Sequence, residues 1–154
     1  MGSTEPRSIK IANWNARSVR AKKIELGTFL AQHDIDVGVI TETRLSPKVN
    51  FSIPKYTTMV RLNRPDSSGG GVAVIVKQGI RYKILPHPRT SIIEAIGIQI
   101  HTPQGDISFY AVYAPRQCVD SNGSSKLFSE DLKKLNNGSG YVIAGDLNTR
   151  HTLW

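Results

Sequence analysis

The chain has 154 residues, 39% of them hydrophobic, and a formal net charge of +8 from 20 Lys and Arg against 12 Asp and Glu. This length and apolar fraction predict one globular domain and argue against disorder over most of the chain. The positive charge favours a polyanionic partner such as nucleic acid, although a basic surface with no partner has the same composition.

The single cysteine, Cys118, excludes an intrachain disulfide and a thiolate metal site. It fits a reducing compartment. No apolar run approaches the roughly 20 residues that a membrane helix needs, and residues 1–10 lack the apolar core of a secretory signal. We therefore expect an intracellular protein that has no membrane partner.

The first part of the chain predicts a strand, a helix and two further strands after a polar leader at residues 1–7. IKIANWN (9–15) alternates apolar residues as a strand does. A helix is predicted over about residues 20–32, where apolar residues recur at helical spacing: Val19, Ile24, Leu26, Phe29 and Leu30. IDVGVITE (35–42) is a short β-branched run typical of a strand covered on both faces, and PKYTTMVRL (54–62) is a weaker strand.

The second part predicts strands at Val72–Val76 and in RYKIL (81–85), and then a β-hairpin. The arms of the hairpin are 92–101 and 106–114, with a turn at 103–106. SKLFSEDLKKLNN (125–137) predicts a second helix, with Leu127, Phe128, Leu132 and Leu135 on one face, and YVIAGDLN (141–148) predicts the last strand. This order predicts an α/β (α+β) fold with a mixed sheet, in one domain over residues 8–154.

Polar side chains stand at the ends of four predicted strands: Asn15, Glu42, Tyr113, and Asp146 with Asn148. In open α/β sheets, ligand sites gather outside the carboxyl ends of strands. If these ends meet, one cleft holds two carboxylates, two amides and a phenol. Such a set suits Mg²⁺ and the hydrolysis of a phosphodiester, which needs an activated water and donors to the phosphoryl oxygens.

Each of these residues has a plainer interpretation when it is taken alone. Glu42 could be a solvated strand end, Asn15 could cap the following helix, and Asp146 could close an Asx turn. Only the recurrence of such residues at the same place on four strands favours a functional site.

Cations and glycines near these strand ends are weaker signals. Four cations follow Asn15, and they either steer a nucleic-acid backbone or form a solvated helix face: Arg17, Arg20, Lys22 and Lys23. Three further candidate contacts to nucleic acid are Arg116, Arg150 and His151; a lone His such as His151 is more often neither a base nor a phosphate contact. The triplet Gly69–Gly71 precedes a strand, not a helix, and so favours a flexible turn over a phosphate cradle.

Five segments, in this order, resemble the endonuclease/exonuclease/phosphatase superfamily: KIANWNARSVR, GVITETRL, GGGVAVIVK, FYAVYAP and VIAGDLNTRH. More narrowly, they resemble the apurinic-type endonuclease domain at the N-terminus of jockey-like non-LTR retrotransposon polyproteins, over about residues 8–154. The resemblance implies a four-layered α/β/β/α sandwich with mixed sheets. It also implies nicking of DNA with Mg²⁺, or with Mn²⁺ in its place, and location in the nucleus.

The resemblance also implies a role for each polar strand end. Glu42 would bind the metal with Asn15 beside it. Tyr113 would contact the scissile phosphate or the leaving oxygen. Asp146 would orient or deprotonate the attacking water, and Asn148 would hold phosphate oxygens.

The chain departs from the family pattern in two places. Arg17 stands where many relatives carry Asp or Gly, and the closing Ser-Asp-His motif is absent from the 154 residues. We therefore expect an incomplete sandwich, truncated after the GDLN strand, with impaired activity when it is alone. The chain would then be a fragment of a longer protein, or it would cover its exposed apolar sheet face by self-association or with a partner. The alternatives are a degenerate or co-opted module that binds nucleic acid or protein without catalysis and, less favoured, a phosphatase for a small substrate.

Overall fold

A computed structural model describes residues 8–57, 60–63, 69–115 and 124–148, without the side chains of Ser124 and Ser125. Arg116, Arg150 and His151, three of the predicted nucleic-acid contacts, lie outside these residues, as does Cys118. The described residues form two four-stranded sheets, two α-helices and one short 3-10 helix.

The first sheet contains β1 (Ile11–Asn15), β2 (Val37–Thr41), β3 (Val60–Leu62) and β4 (Val72–Val76). Its spatial order is β1-β2-β4-β3; β1 runs parallel to β2, and the other two pairs are antiparallel. Strands β2 (VGVIT) and β4 (VAVIV) are buried at every position. Their β-branched runs therefore fit central strands that are covered on both faces, as the sequence predicts.

The second sheet contains β5 (Tyr82–Ile84), β6 (Glu94–Thr102), β7 (Gly105–Tyr113) and β8 (Gly140–Asp146), in that spatial order. Strands β6 and β7 form the predicted hairpin, with only Pro103 and Gln104 between them. Strand β8 runs parallel to β7. Both sheets are therefore mixed, and two facing mixed sheets replace the single one that the sequence alone suggests.

One helix covers the outer face of each sheet. The predicted helix over 20–32 is a 3-10 turn (Arg20–Lys22) followed by α1 (Lys23–Gln32). The second predicted helix, over 125–137, is α2 (Ser124–Lys133). Leu26 and Leu30, one turn apart, pack from α1 onto the first sheet. Phe128, Leu132 and Leu135 pack from α2 and the turn after it onto the second sheet.

Two of the apolar residues that predict α1 do not face the core. The side chain of Ile24 is 85% exposed and that of Phe29 is 45% exposed. Ile24 lies two positions before Leu26 and so points to the opposite side of the helix, since successive residues rotate by about 100°. Phe29 instead contacts the His33 ring, with 4.5 Å between ring centroids. Leu127 of α2 is likewise 41% exposed.

The core between the sheets is almost entirely β-branched and aromatic. Alternate residues of β2 and β4, such as Val39 and Val74, face Ile98 of β6 and Phe109 of β7. Helix, sheet, sheet and helix thus form four layers, which confirms the predicted fold class. None of the helices among the described residues is long and apolar enough to cross a membrane.

Apolar side chains are partly exposed where the edge strands β1 and β8 meet. The Nδ2 amide of Asn13 in β1 joins them by donating to the carbonyl of Gly145 in β8 over 3.1 Å. Next to this bond, Ile11 is 37% exposed and Val142 is 36% exposed. Both line a groove of about 630 Å³ that opens between the two sheets. An apolar surface therefore remains accessible there, and what covers it stays a prediction.

Candidate active site

The ends of three strands bring Asn15, Glu42 and Asp146 into contact. Nδ2 of Asn15 donates one hydrogen bond to Oε1 of Glu42 over 2.8 Å and another to Oδ2 of Asp146 over 2.7 Å. An amide nitrogen carries two hydrogens, so one group serves both carboxylates. Three of the predicted site residues therefore form one cluster, which joins both sheets.

The strand directions explain why these residues meet. Because β1 is parallel to β2, and β7 to β8, the carboxyl ends of all four strands can lie at one end of the sandwich. In the second sheet, Tyr113 is paired with Asp146 in register, which places the phenol on the strand next to the carboxylate. Tyr113 is half-buried there.

Asn148 is held to the same end by two hydrogen bonds. Its backbone N–H donates to Oδ1 of Asp146 over 3.1 Å, and its Nδ2 donates to the carbonyl of Ala114 over 2.8 Å. The first of these bonds closes an Asx turn, the plainer interpretation of Asp146. In this structure the turn and the contact with Asn15 coexist, because they use different oxygens of the carboxylate.

The plainer interpretations of Glu42 and Asn15 do not hold. The side chain of Glu42 is only 15% exposed, and its Oε2 accepts a hydrogen bond from Arg44 over 3.3 Å. Neither the 3-10 helix nor α1 has a side-chain cap at its N-terminus, so Asn15 caps neither. Both side chains are instead directed towards each other.

Glu42 and Asn148 both have a left-handed backbone conformation, with φ of +51° at Glu42 and +47° at Asn148. Non-glycine residues adopt this region at a cost of about 1–2 kcal/mol, and the surrounding structure must hold them there. At Glu42, the carbonyl accepts a hydrogen bond from the backbone N–H of Ser18 over 2.9 Å. This bond helps to hold the left-handed conformation of Glu42.

The four cations after Asn15 differ in what they contact. Arg17, Arg20 and Lys23 are exposed. Lys22 donates from Nζ to the carbonyl of Ala16 over 2.6 Å and lies 5.5 Å from the centre of the Trp14 ring. The Lys22 side chain therefore fastens the loop that follows β1. Whether any of the four contacts nucleic acid stays a prediction.

The donor chemistry of the cluster fits a hard divalent cation. Two carboxylates and oxygen-bearing amides are the ligands that Mg²⁺ accepts, and it commonly uses only one or two protein carboxylates. In the described part of the chain no group of three His, Cys, Asp or Glu is close enough to hold a metal. Asn15 turns its nitrogen to the carboxylates and accepts from the Arg17 N–H through Oδ1 over 3.3 Å. In this arrangement, the side-chain oxygens that could bind a cation are the carboxylate oxygens of Glu42 and Asp146.

Two residues that support the turn at Glu42, Gly71 and Glu94, cannot be identified from the sequence. The backbone N–H of Gly71 donates to Oε2 of Glu94 over 2.7 Å. The Gly71 carbonyl accepts in turn from the N–H of Thr43, next to Glu42, over 3.2 Å. The glycine triplet and the acidic residue inside the apolar run SIIEAIGI were the available signals, and neither shows its partner in the sequence.

Residues 12–154 match the family described as the Endonuclease/Exonuclease/phosphatase family. The chain belongs to this family. The match spans four of the five segments that carry the resemblance and all but the first two residues of KIANWNARSVR, and it confirms that prediction. In this member of the family, Asn15, Glu42 and Asp146 form their cluster at the carboxyl ends of strands.

Similar proteins include retrotransposon proteins. The RNA-directed DNA polymerase from the mobile element jockey of Drosophila melanogaster is 31% identical over 154 residues, which is 98% of this chain and 16% of that protein. The chain therefore spans about a sixth of the length of this relative.

Solved structures share the fold at low identity. The endonuclease domain of TRAS1, a telomere-specific non-LTR retrotransposon, superposes with a TM-score of 0.71 at 17% identity, over 95% of this chain and 63% of that domain. D. rerio TDP2 complexed with a single-strand DNA product gives a TM-score of 0.61 at 16% identity, over 93% of this chain and 62% of that one.

Proposed function

We propose that the chain forms an endonuclease domain of a retrotransposon-like protein, which nicks DNA by metal-dependent phosphodiester hydrolysis. The supporting observation is the pair of carboxylates, Glu42 and Asp146, that share the amide of Asn15 over 2.8 and 2.7 Å. Two like charges held this close repel unless donors or a cation compensate them. The arrangement is therefore suited to a positively charged ligand.

Glu42 would hold the cation, Mg²⁺ or Mn²⁺, through its carboxylate oxygens. A bound cation would supply charge neutralisation at the phosphoryl oxygens of the DNA. Asn15 would keep the two carboxylates at a fixed separation, because both of its Nδ2 hydrogens are donated to them. Glu42 is mostly shielded from solvent, which strengthens its interaction with positive charge.

Asp146 would take the proton of the attacking water. Each carboxylate oxygen has about two lone-pair sites, so the bonds from Asn15 and Asn148 leave room for a water hydrogen. The water oxygen forms a bond to phosphorus, its proton passes to Asp146, and the bond from phosphorus to the leaving oxygen breaks. The leaving oxygen keeps the electron pair of the broken bond and takes a proton from solvent, so the net reaction consumes one water molecule.

Tyr113 and Asn148 would bind the phosphate group. The Tyr113 hydroxyl would donate to the scissile phosphate or to the leaving oxygen, from its place beside Asp146 in the ladder. Asn148, which the Ala114 carbonyl orients, would donate an amide hydrogen to a phosphate oxygen. Donors fixed before the substrate arrives stabilise the charge that develops in the transition state.

DNA is the proposed substrate because of charge and because of the relatives. The net charge of +8 attracts a polyanion, and Arg17 and Arg20 are exposed close to Asn15. The TRAS1 domain is an endonuclease, and TDP2 was solved with a DNA product. A nuclease of chromosomal DNA would act in the nucleus, and we propose that location.

The test combines metal binding with plasmid nicking. The 154-residue chain is titrated with Mn²⁺ by calorimetry and incubated with supercoiled plasmid and Mg²⁺, with EDTA as a blank. Glu42→Ala and Asp146→Ala should remove cation binding or nicking, whereas Asp106→Ala, an exposed carboxylate at the far end of the β6–β7 hairpin, should change neither. If both site variants bind and cut as the parent does, the proposed site is wrong.

Nicking by these 154 residues should be slow, since the sequence contains no Ser-Asp-His motif. A second candidate function, favoured by the net charge of +8, is a module that binds nucleic acid without cutting it. Binding that weakens steeply with salt, with no nicking in either Mg²⁺ or Mn²⁺, would select this candidate.

A further inference from the structure

We propose that Glu94 is a positioning residue that fixes the backbone of Glu42, and this inference rests on the proposed role of Glu42 as the metal ligand. Glu94 is the first residue of β6, in the second sheet, and Glu42 follows β2 in the first. Oε2 of Glu94 accepts the backbone N–H of Gly71 over 2.7 Å, across the space between the sheets.

Two backbone hydrogen bonds carry this contact onwards to Glu42. The Gly71 carbonyl accepts from the N–H of Thr43 over 3.2 Å, and the Gly70 carbonyl accepts from the N–H of Arg44 over 3.1 Å. Thr43 and Arg44 are the two residues that directly follow Glu42. The glycine segment that Glu94 holds is therefore hydrogen-bonded to one side of the turn in which Glu42 has a φ of +51°.

The loop after β1 is hydrogen-bonded to the other side of this turn. The N–H of Ser18 donates to the carbonyl of Glu42 over 2.9 Å, and the N–H of Val19 donates to the carbonyl of Thr43 over 3.1 Å. The strained conformation at Glu42 is thus held from both sides. The glycine side is held by a carboxylate, since a glycine triplet has no side chains of its own to fix it.

The glycine segment fits closely against the turn at Gly71. Its φ is +87°, and a Cβ at this position would lie 2.6 Å from Oγ1 of Thr43. The turn therefore requires a glycine at this position. A glycine segment is costly to order, and a charge-assisted hydrogen bond from its N–H to Glu94 offsets part of that cost.

Glu94 is itself held in place from two directions. The segment before it donates backbone N–H groups of Ser91, Ile92 and Ile93 to the buried carboxylate of Asp131 in α2. In the ladder, the backbone of Glu94 is paired with that of Tyr113 of β7. Glu94 therefore stands on the strand next to the candidate phosphate contact, while its carboxylate accepts from Gly71 in the first sheet.

The test compares Glu94→Ala and Glu94→Gln with Asp106→Ala as a matched loss of one carboxylate. Nuclear magnetic resonance of the metal-free chain follows amide hydrogen exchange at Thr43 and Arg44 and the side-chain amide resonances of Asn15. In Glu94→Ala, exchange at both amides should accelerate by on the order of tenfold, and the Asn15 resonances should move. Glu94→Gln keeps an oxygen acceptor for Gly71 and should stay close to the parent chain.

Metal affinity provides the second measurement. Mn²⁺ should bind Glu94→Ala about 10–100-fold more weakly than the parent chain, as for other residues that orient a metal ligand. If the parent chain binds no Mn²⁺, the proposed metal site fails, and the exchange data still decide on Glu94. Unchanged exchange and unchanged Asn15 resonances in folded Glu94→Ala would overturn the positioning role, as would equal effects in Glu94→Gln and Glu94→Ala.

Discussion

Asn15 and Asp146 stand 131 positions apart and in different sheets, yet Nδ2 of Asn15 donates to Oδ2 of Asp146 over 2.7 Å. The other hydrogen of the same nitrogen goes to Glu42 over 2.8 Å. This amide therefore offsets part of the repulsion between the two carboxylates, together with the Arg44 guanidinium on Glu42 and the Asn148 N–H on Asp146. The site consequently depends on a neutral residue as much as on its charged ones.

Replacing Asn15 by Ala should lower both stability and cleavage. Without the shared donor, the two carboxylates lose a hydrogen bond each, at about 1–3 kcal/mol of unfolding free energy in EDTA. Cleavage per folded molecule should fall by about 10²–10³. Urea unfolding and plasmid nicking measure the two effects. The matched control is Asn13→Ala, which removes one bond between β1 and β8 outside the cluster; an equal loss of cleavage in the control would contradict the proposed role of Asn15.

Gly71 and Gly79 separate the effect of backbone strain from that of steric conflict. Both are left-handed, with φ of +87° and +92°, but an added Cβ meets Thr43 Oγ1 at Gly71 and nothing within 4 Å at Gly79. Gly79→Ala should cost about 1–2 kcal/mol from strain alone. Gly71→Ala should cost more and should also weaken Mn²⁺ binding, because it displaces the residues after Glu42. Thermal unfolding with calorimetry distinguishes them, and equal behaviour would argue against a close fit at Gly71.

Much of the fold could be predicted from the sequence because its central strands are unambiguous. Val72–Val76 is a β-branched run with no helical spacing, and it is buried throughout. Apolar spacing predicts helix α1 at the right place, but it does not fix which residues point inward, and Ile24 is exposed. The division into two sheets depends on long-range pairings, such as β7 beside β8, that periodicity does not encode.

The candidate site was predictable only in part. Asn15, Glu42 and Asp146 follow apolar strands directly, so their positions in the sequence already place them at strand ends. Glu94 begins a strand instead of ending one, and its partner is the backbone of Gly71, 23 positions away. A contact from a side chain to a distant backbone N–H has no sequence signature, because every residue except proline has that group.

Among the cations near Asn15, Arg20 and Lys22 should respond differently to substitution. Arg20 is exposed, whereas Lys22 donates to the carbonyl of Ala16 over 2.6 Å. Arg20→Ala should weaken DNA binding and lower the slope of log affinity against log salt by about 1. Lys22→Met should mainly lower stability, because it frees the loop after β1. Fluorescence anisotropy at several salt concentrations measures the slope; an unchanged slope in Arg20→Ala would exclude Arg20 as a phosphate contact.

Asp131 should make the stability of the domain fall in acid. Burial raises the pKa of this fully buried carboxyl. The hydrogen bonds from the N–H groups of Ile92, Ser91 and Ile93 and from the Lys134 ammonium outweigh burial, and the net pKa lies below the usual 3.8. A folded pKa below the unfolded one means that the ionised form stabilises the fold above about pH 4. This contribution is lost as pH falls through the folded pKa.

Asp131→Asn tests this contribution directly. At pH 7 the variant should be less stable than the parent chain by about 1–3 kcal/mol, because the amide cannot replace the carboxylate as acceptor for three N–H groups and an ammonium. As pH falls below 3.8, the usual value for an aspartate, the difference should shrink, since the parent carboxylate then becomes protonated as well. Urea unfolding across this range measures the difference, with Asp106→Asn as the exposed control. A difference that stays constant down to pH 2 would show that charge on Asp131 is not what stabilises the segment leading into Glu94.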